Sequence, residues 1–220
     1  MDIIGAIAQY LPPMLKGIGV TVQLTLFSSV LALTVAFLLG LCRLSRYSLV
    51  RGISYTFVEI VRGTSLLVQL FWFYYVMPFF GVEFSAMTTG VLAIGLNYGA
   101  YGSEIVRSSI LAVPKGQTEA AIALNLTRWQ RMIHVIIPQA LMRMVPPFGN
   151  LLIELLKGTS LVYFITLADL TYISMTLRNT NYADSLIIFT LLLLIYFLIA
   201  QLMTLGVRWV EKRVTAGRLA

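Results

Sequence analysis

Cysteine occurs once, at Cys42, which excludes an intrachain disulfide. Histidine also occurs once, at His134, so no histidine-based metal constellation can be assembled from this chain. Charge is scarce: 11% of residues are charged, against about a quarter in an ordinary soluble domain. A water-exposed globular domain is therefore excluded. A phosphate-binding loop needs glycine, four residues, then Gly-Lys-Ser/Thr; Lys157-Gly158-Thr159-Ser160 has such residues in the wrong order. No nucleophile–base pair is recognisable, so a membrane-embedded enzyme lacks its catalytic constellation. The start Met1-Asp2-Ile3-Ile4 has no basic region. Pro12-Pro13 is expected to break the first apolar stretch, and neither feature fits a cleavable signal.

What the chain does have is apolar length. Hydrophobic residues make up 59% of it, and the mean hydropathy is +0.87. They arrive in runs long enough for helices to cross about 30 Å of hydrocarbon. Unbroken runs such as Leu186 to Ala200 lack the alternation of barrel strands. The expected fold is all-α: one polytopic domain of five transmembrane helices. The spans are placed at about Gly19–Leu41, Tyr55–Phe79, Met87–Ser108, Gln139–Leu156 and Ser185–Trp209. Residues 1–18 would precede the bundle, 109–138 would form a loop between spans three and four, and 210–220 a tail.

The net charge of +7 and the pI near 9.7 could suggest nucleic acid. The positions of the bases give a better account. Arg43, Arg46 and Arg51 follow span one. Arg107, Lys115, Arg128, Arg131 and Arg143 surround the 109–138 loop, and Arg208, Lys212, Arg213 and Arg218 follow span five. Only Lys16 and Arg178 fall on the opposite side, while Arg62 and Lys157 lie within spans. The positive-inside rule then puts the central loop and C-terminus in the cytoplasm. The N-terminus and the segments Pro78–Ala86 and Thr159–Asp184 would be external. No nucleic-acid partner is expected.

The cytoplasmic loop is a polar island in an oily chain. Val113-Pro114-Lys115-Gly116-Gln117 breaks the chain after span three. Glu119 to Leu124 reads as a short helix with its acid in the first turn, where the helix dipole favours it. Asn125 suits a left-handed helix end. Thr127-Arg128-Trp129-Gln130 fits a capping box, and Pro138 marks a boundary before span four. Ala120, Ala121 and Ala123 would leave a small-residue surface that another protein could approach.

This loop resembles the EAA loop of ABC transporter permeases: Glu119-Ala120-Ala121, three residues, a turn residue at Asn125, nine residues, then Val135-Ile136-Ile137-Pro138. Asn125 stands where that family usually has glycine. Arg62-Gly63-Thr64-Ser65-Leu66-Leu67-Val68-Gln69 is similar to the arginine-glycine-threonine-proline segment of the polar amino-acid permeases, with Ser65 replacing proline. Gly99-Ala100-Tyr101 with Glu104 and Arg107, Pro138-Gln139-Ala140 and Lys157-Gly158-Thr159-Ser160-Leu161 also match. The resemblance implies the transmembrane domain of a type I importer in a bacterial inner membrane. The implied partners are a second permease subunit, in a homodimer or a heterodimer, two cytoplasmic ATP-binding subunits and an extracytoplasmic solute-binding protein. It implies ATPase coupling for Gly116, Glu119, Ala120, Ala121, Asn125 and Leu126, and no cofactor for this chain.

Ionisable residues inside a membrane are functional candidates. Glu59, Glu104 and Glu154 each have a base three residues on, at Arg62, Arg107 and Lys157, which places acid and base on one helix face. Each pair can be an internal salt bridge or a helix tie. Asn150 lies one turn before Glu154, and Pro146-Pro147 are expected to break that helix and free backbone groups. Glu154 with Asn150 then suits the cationic end of a small zwitterionic solute. Thr64, Ser65 and Gln69 either bind solute or pack against a second subunit. Phe71-Trp72-Phe73-Tyr74-Tyr75 reads as an interfacial belt or as a cation–π site, and His134 as a surface or contact residue.

Two functions compete. One is the membrane subunit of an ATP-driven importer. The other is an ion-coupled secondary carrier using the three carboxylates, although internal repeats of the kind such carriers show are absent. For solute, Gly95-Leu96-Asn97, Ala123-Leu124-Asn125 and Pro146-Pro147-Phe148-Gly149-Asn150 look most similar to the ectoine/hydroxyectoine branch.

Overall fold

The computed structural model describes residues 3–216, and among them it is helical with no strand. Helix α1 spans Ile3–Cys42 and runs straight through Pro12 and Pro13, rather than ending there as the sequence suggested. Proline removes helical hydrogen bonds, but packing on both sides of the pair holds the helix. Ala6, Tyr10 and Met14 are buried with Ile188, Leu191 and Ile195, and the Tyr10 hydroxyl donates to Asp184 at 2.7 Å.

The second apolar stretch is not one straight span. Helix α2 covers Ser48–Gly63 and α3 covers Leu66–Phe71, continuing through a π turn at Trp72–Val76 and a 3-10 turn at Met77–Phe80. The two parts meet at a 100° bend. Thr64 and Ser65 are extended there, at ψ 148° and 136°. A helix end inside a bundle must have its carbonyls satisfied. The Thr64 hydroxyl donates back to the carbonyls of Ile60 (3.0 Å) and Val61 (3.3 Å). The Gln69 amide donates to the Val61 carbonyl at 2.8 Å and to Thr64 Oγ1 at 2.7 Å.

Helix α4, Ala86–Leu111, is the centre of the bundle, and α1 packs along it. Small residues permit the approach: a Cβ on Gly99 would meet Val35 Cβ at 2.7 Å and the Ala32 carbonyl oxygen at 3.1 Å. Glu104 on α4 accepts from Arg43 at the end of α1 (2.8 Å) and from Arg107 (2.6 Å), so this carboxylate ties two helices.

The polar loop holds α5, Lys115–Ala123, and α6, Arg128–Gln130. A π turn, Arg131–Ile136, leads into α7, Ile137–Gly158, and a 3-10 turn, Thr159–Ile165. The helix is continuous from Arg128 to Ile165, so Pro138 does not end it as expected; the π turn just before Pro138 is where the missing N–H is accommodated. The helix passes through Pro146 and Pro147 as well; the expected break is not there, because buried Met144, Phe148 and Leu151 pack on both sides. Helix α8, Leu170–Thr180, and a short turn, Tyr182–Asp184, precede α9, Ser185–Ala216.

Among the described residues three helices are long and apolar enough to cross a membrane, and the bent α2–α3 pair would be a fourth. The remaining expected span, α4, has the length but is more polar. Its Thr89, Asn97, Ser103 and Ser109 are buried among other helices, so they need not face lipid.

Candidate functional site

The bend in the second apolar stretch opens onto a cavity of about 440 Å³. Thr64, Ser65 and Leu66 line it from the bend, Asn97, Tyr98 and Tyr101 from α4, and Glu154, Gly158 and Leu161 from the α7 end. Three segments far apart in sequence thus converge on one space whose wall carries several polar groups. Tyr98 donates its hydroxyl to the Glu154 backbone carbonyl at 2.9 Å, fixing α7 against α4. The Tyr101 hydroxyl reaches the Arg62 carbonyl at 3.4 Å, and the Arg62 guanidinium lies 5.1 Å from the Tyr101 ring centroid. The α2 end is therefore held on α4 beside the cavity.

Glu154 has no salt-bridge partner among the described residues. Its side chain is not committed to Lys157, whereas Glu59 lies 4.0 Å from Arg62 and Glu104 is bonded to two arginines. Of the three carboxylates, Glu154 is the one that lines a cavity and has no cationic partner.

Of the sequence candidates, Thr64, Ser65 and Glu154 meet in this space. Gln69 does not line it; the amide is spent on the bend, and its Oε1 accepts from Asn97 at 3.2 Å. Asn150 is exposed on α7 outside the cavity. Asn97, Tyr98 and Tyr101 were not singled out as site residues, although Gly95-Leu96-Asn97 and Gly99-Ala100-Tyr101 carried the family pattern. The aromatic run packs on itself and on Phe164, whose ring lies 6.2 Å from Phe71 and whose carbonyl accepts from Tyr75 at 3.3 Å. Trp72 and Phe73 line a separate, apolar cavity of about 340 Å³ with Thr64 and Gln69.

The loop is a second candidate site. Asn125 has φ 56°, the left-handed conformation. Its N–H donates to the Ile122 carbonyl (2.8 Å) and the Leu126 N–H to the Ala121 carbonyl (3.1 Å); together these form a Schellman end. Thr127 and Gln130 close the capping box, with Gln130 N–H on Thr127 Oγ1 at 3.3 Å and Thr127 N–H on Gln130 Oε1 at 2.9 Å. Helix α5 begins at Lys115, so Glu119 is not in its first turn. Gly116, Glu119, Ala120 and Asn125 are exposed and Leu126 is half-buried. Ala121 is 2% exposed, so it packs within the loop and is not on the outer surface as expected. The outer surface instead carries Ile122, Leu124 and Trp129. These apolar residues were readable in the polar island but not singled out. Gln139 donates to Gln117 at 3.1 Å and Arg143 to the Ala112 carbonyl at 2.7 Å, which anchors the loop to α7. His134 contacts the Gln130 carbonyl at 3.1 Å.

Residues 32–216 match the model of the binding-protein-dependent transport system inner membrane component family. The chain belongs to that family. A probable amino-acid ABC transporter permease of Sinorhizobium fredii is 46% identical over 95% of this chain and 90% of its own length. The L-cystine transport system permease of Bacillus subtilis is 37% identical over 92% of this chain and 86% of its own. The glutamine transport system permease of Escherichia coli is 32% identical over 94% and 95%. Among solved structures, an amino acid ABC transporter crystallised with histidines superposes with a TM-score of 0.89 at 31% identity, covering 97% of this chain and 99% of that one. The chain is thus a helical permease subunit of an inner-membrane ABC transporter, a transport component. Its family is described as binding-protein-dependent.

Proposed function

We propose that this chain forms the translocation pathway of an ATP-driven importer for a polar amino acid or a related zwitterionic compatible solute, specifically ectoine or hydroxyectoine. Two permease subunits, identical or paralogous, would assemble with two cytoplasmic ATP-binding subunits and an extracytoplasmic solute-binding protein. The N-terminus lies outside and the loop at 109–138 in the cytoplasm. In this reading Gly116, Glu119, Ala120, Asn125 and Leu126 form or shape the contact with the ATPase, and Ala121 supports it from behind. Ile122, Leu124 and Trp129 add apolar contact area.

The observation that carries the reading is the convergence of Thr64, Ser65 and Glu154 on one cavity at the bend. The Ser65 hydroxyl and the first N–H groups of α3 suit a carboxylate, and an unpaired Glu154 suits a cationic group. Tyr98 and Tyr101 add aromatic surface for an amidinium. Gln69 acts by holding the bend, and Asn150, exposed outside this cavity, is not among the contacts of the solute within it. Relatives named for amino acids support the amino-acid class; the ectoine assignment rests on the sequence similarity and on this chemistry. The commitment of Glu104 to two arginines weighs against a chain of three titrating carboxylates, and so against an ion-coupled carrier.

Glu154→Gln keeps the shape and removes the charge. We expect the assembled complex to lose solute uptake by a factor of 10 or more, roughly the worth of one charge-assisted contact. Parental uptake by an assembled mutant would refute the role of Glu154. Mass spectrometry of solute co-purified with the binding protein tests the cargo, and bound glutamine or cystine would replace ectoine.

A further inference from the structure

At the end of the bundle opposite Phe79 and Phe80, a cavity of about 280 Å³ is lined by Arg43, Arg51, Tyr55 and Arg107. These residues come from three helices, α1 or its end, α2 and α4. Three guanidinium groups face one carboxylate, Glu104, so positive charge is left over. Arg43 is 9% exposed, which is costly for a charge unless it is well paired. It spends Nη1 on Glu104 (2.8 Å) and on Ser103 Oγ (3.5 Å), and its guanidinium lies 5.6 Å from the Tyr55 ring centroid. Arg107 spends Nε and Nη2 on the same carboxylate. Arg51 donates only to the Ser45 carbonyl, at 3.4 Å. Donors on all three arginines are left without an acceptor among the described residues.

The cavity lies where apolar helices end, the depth of lipid headgroups. Basic pockets between membrane helices bind anionic headgroups. We propose that Arg43, Arg51 and Arg107 bind the phosphate of an anionic phospholipid, with Glu104 keeping two of the guanidinium groups in place. The inference does not depend on the solute assigned above, since the site uses none of the same side chains.

The test uses the assembled transporter in nanodiscs of phosphatidylcholine, alone or mixed equally with phosphatidylglycerol. Native mass spectrometry then counts retained lipid. We expect retention of phosphatidylglycerol over phosphatidylcholine, reduced roughly fivefold by Arg51→Gln, the order expected for one guanidinium near an anionic surface. Arg51→Lys should restore most of it. Arg46→Gln, at an exposed arginine stacked on Tyr47 outside the cavity, should leave it unchanged. Equal retention of both lipids, or loss of equal size in Arg46→Gln, overturns the proposal. So does an unchanged lipid count in Arg51→Gln accompanied by loss of the ATPase subunits, which would assign the pocket to a neighbouring subunit. Labelled inorganic phosphate in phosphatidylcholine discs distinguishes the source: tight binding that is lost in Arg51→Gln, with no preference for phosphatidylglycerol, identifies a free anion instead.

Discussion

Asn125 holds φ at 56° so that the chain can turn between α5 and α6. Side chains with a Cβ pay about 1–2 kcal/mol there, and asparagine tolerates it better than most because it can bond locally. Asn125→Gly should therefore preserve both assembly and uptake, and Asn125→Val should lose roughly 1–2 kcal/mol of loop stability. The readout is ATPase activity stimulated by the loaded binding protein. It should be near parental in the glycine variant and clearly reduced in the valine variant; equal activity in the two would show that the turn is not needed. This residue was legible in the sequence because its role is local, set by the helix before it and the capping box after it. Ala121, three positions before Leu124, was not. Whether an alanine faces a partner or its own loop depends on the packing of α5 against the following π turn, and no spacing rule encodes that.

Asp169 caps α8, accepting the Tyr172 N–H at 2.8 Å, and is fully buried. It packs beside the α1–α8 contact, where the Leu170 N–H donates to Thr21 Oγ1 at 3.1 Å, and its other oxygen accepts from the Tyr196 hydroxyl at 3.5 Å. Asp169→Asn keeps the capping oxygen and should unfold near the parental temperature, whereas Asp169→Ala should lose about 1 kcal/mol. The measurement is thermal unfolding of the detergent-solubilised complex; equal stability of the two variants would show that the cap is not needed. Elements of this kind, and the two proline pairs, were the least legible part of the fold. Pro12-Pro13 and Pro146-Pro147 carry a real local preference for ending a helix, which tertiary packing overrides. The bend at Thr64-Ser65 went the other way: an apolar stretch of spanning length concealed a 100° break that uses Gln69, eight residues from Val61, to satisfy it.

Across the whole molecule, hydropathy identifies the long apolar helices and misses the one whose polar residues are buried among the others. Helix α4 is polar enough to escape a length-and-composition test, yet α1, α2 and α7 all pack on it. Its Asn97, Tyr98 and Tyr101 complete the cavity opened by the bend. The family and its helical membrane fold were legible because motifs recur in order along the chain. The cavity was not, because its walls come from three separate segments. Orientation rests on charge alone, with Lys115 and Arg128 in the loop at 109–138 and Arg178 on the opposite side. Cys42→Ser removes the single cysteine, so new ones can report topology cleanly. Lys115 and Asn179 are both exposed and lie on opposite sides in the proposed arrangement. Asn179→Cys should react with a membrane-impermeant maleimide on intact spheroplasts, and Lys115→Cys only in inverted vesicles. The reverse pattern would put the loop outside the cell, where no ATP-binding subunit could reach Glu119, and the proposed coupling would fail even though the fold stood unchanged.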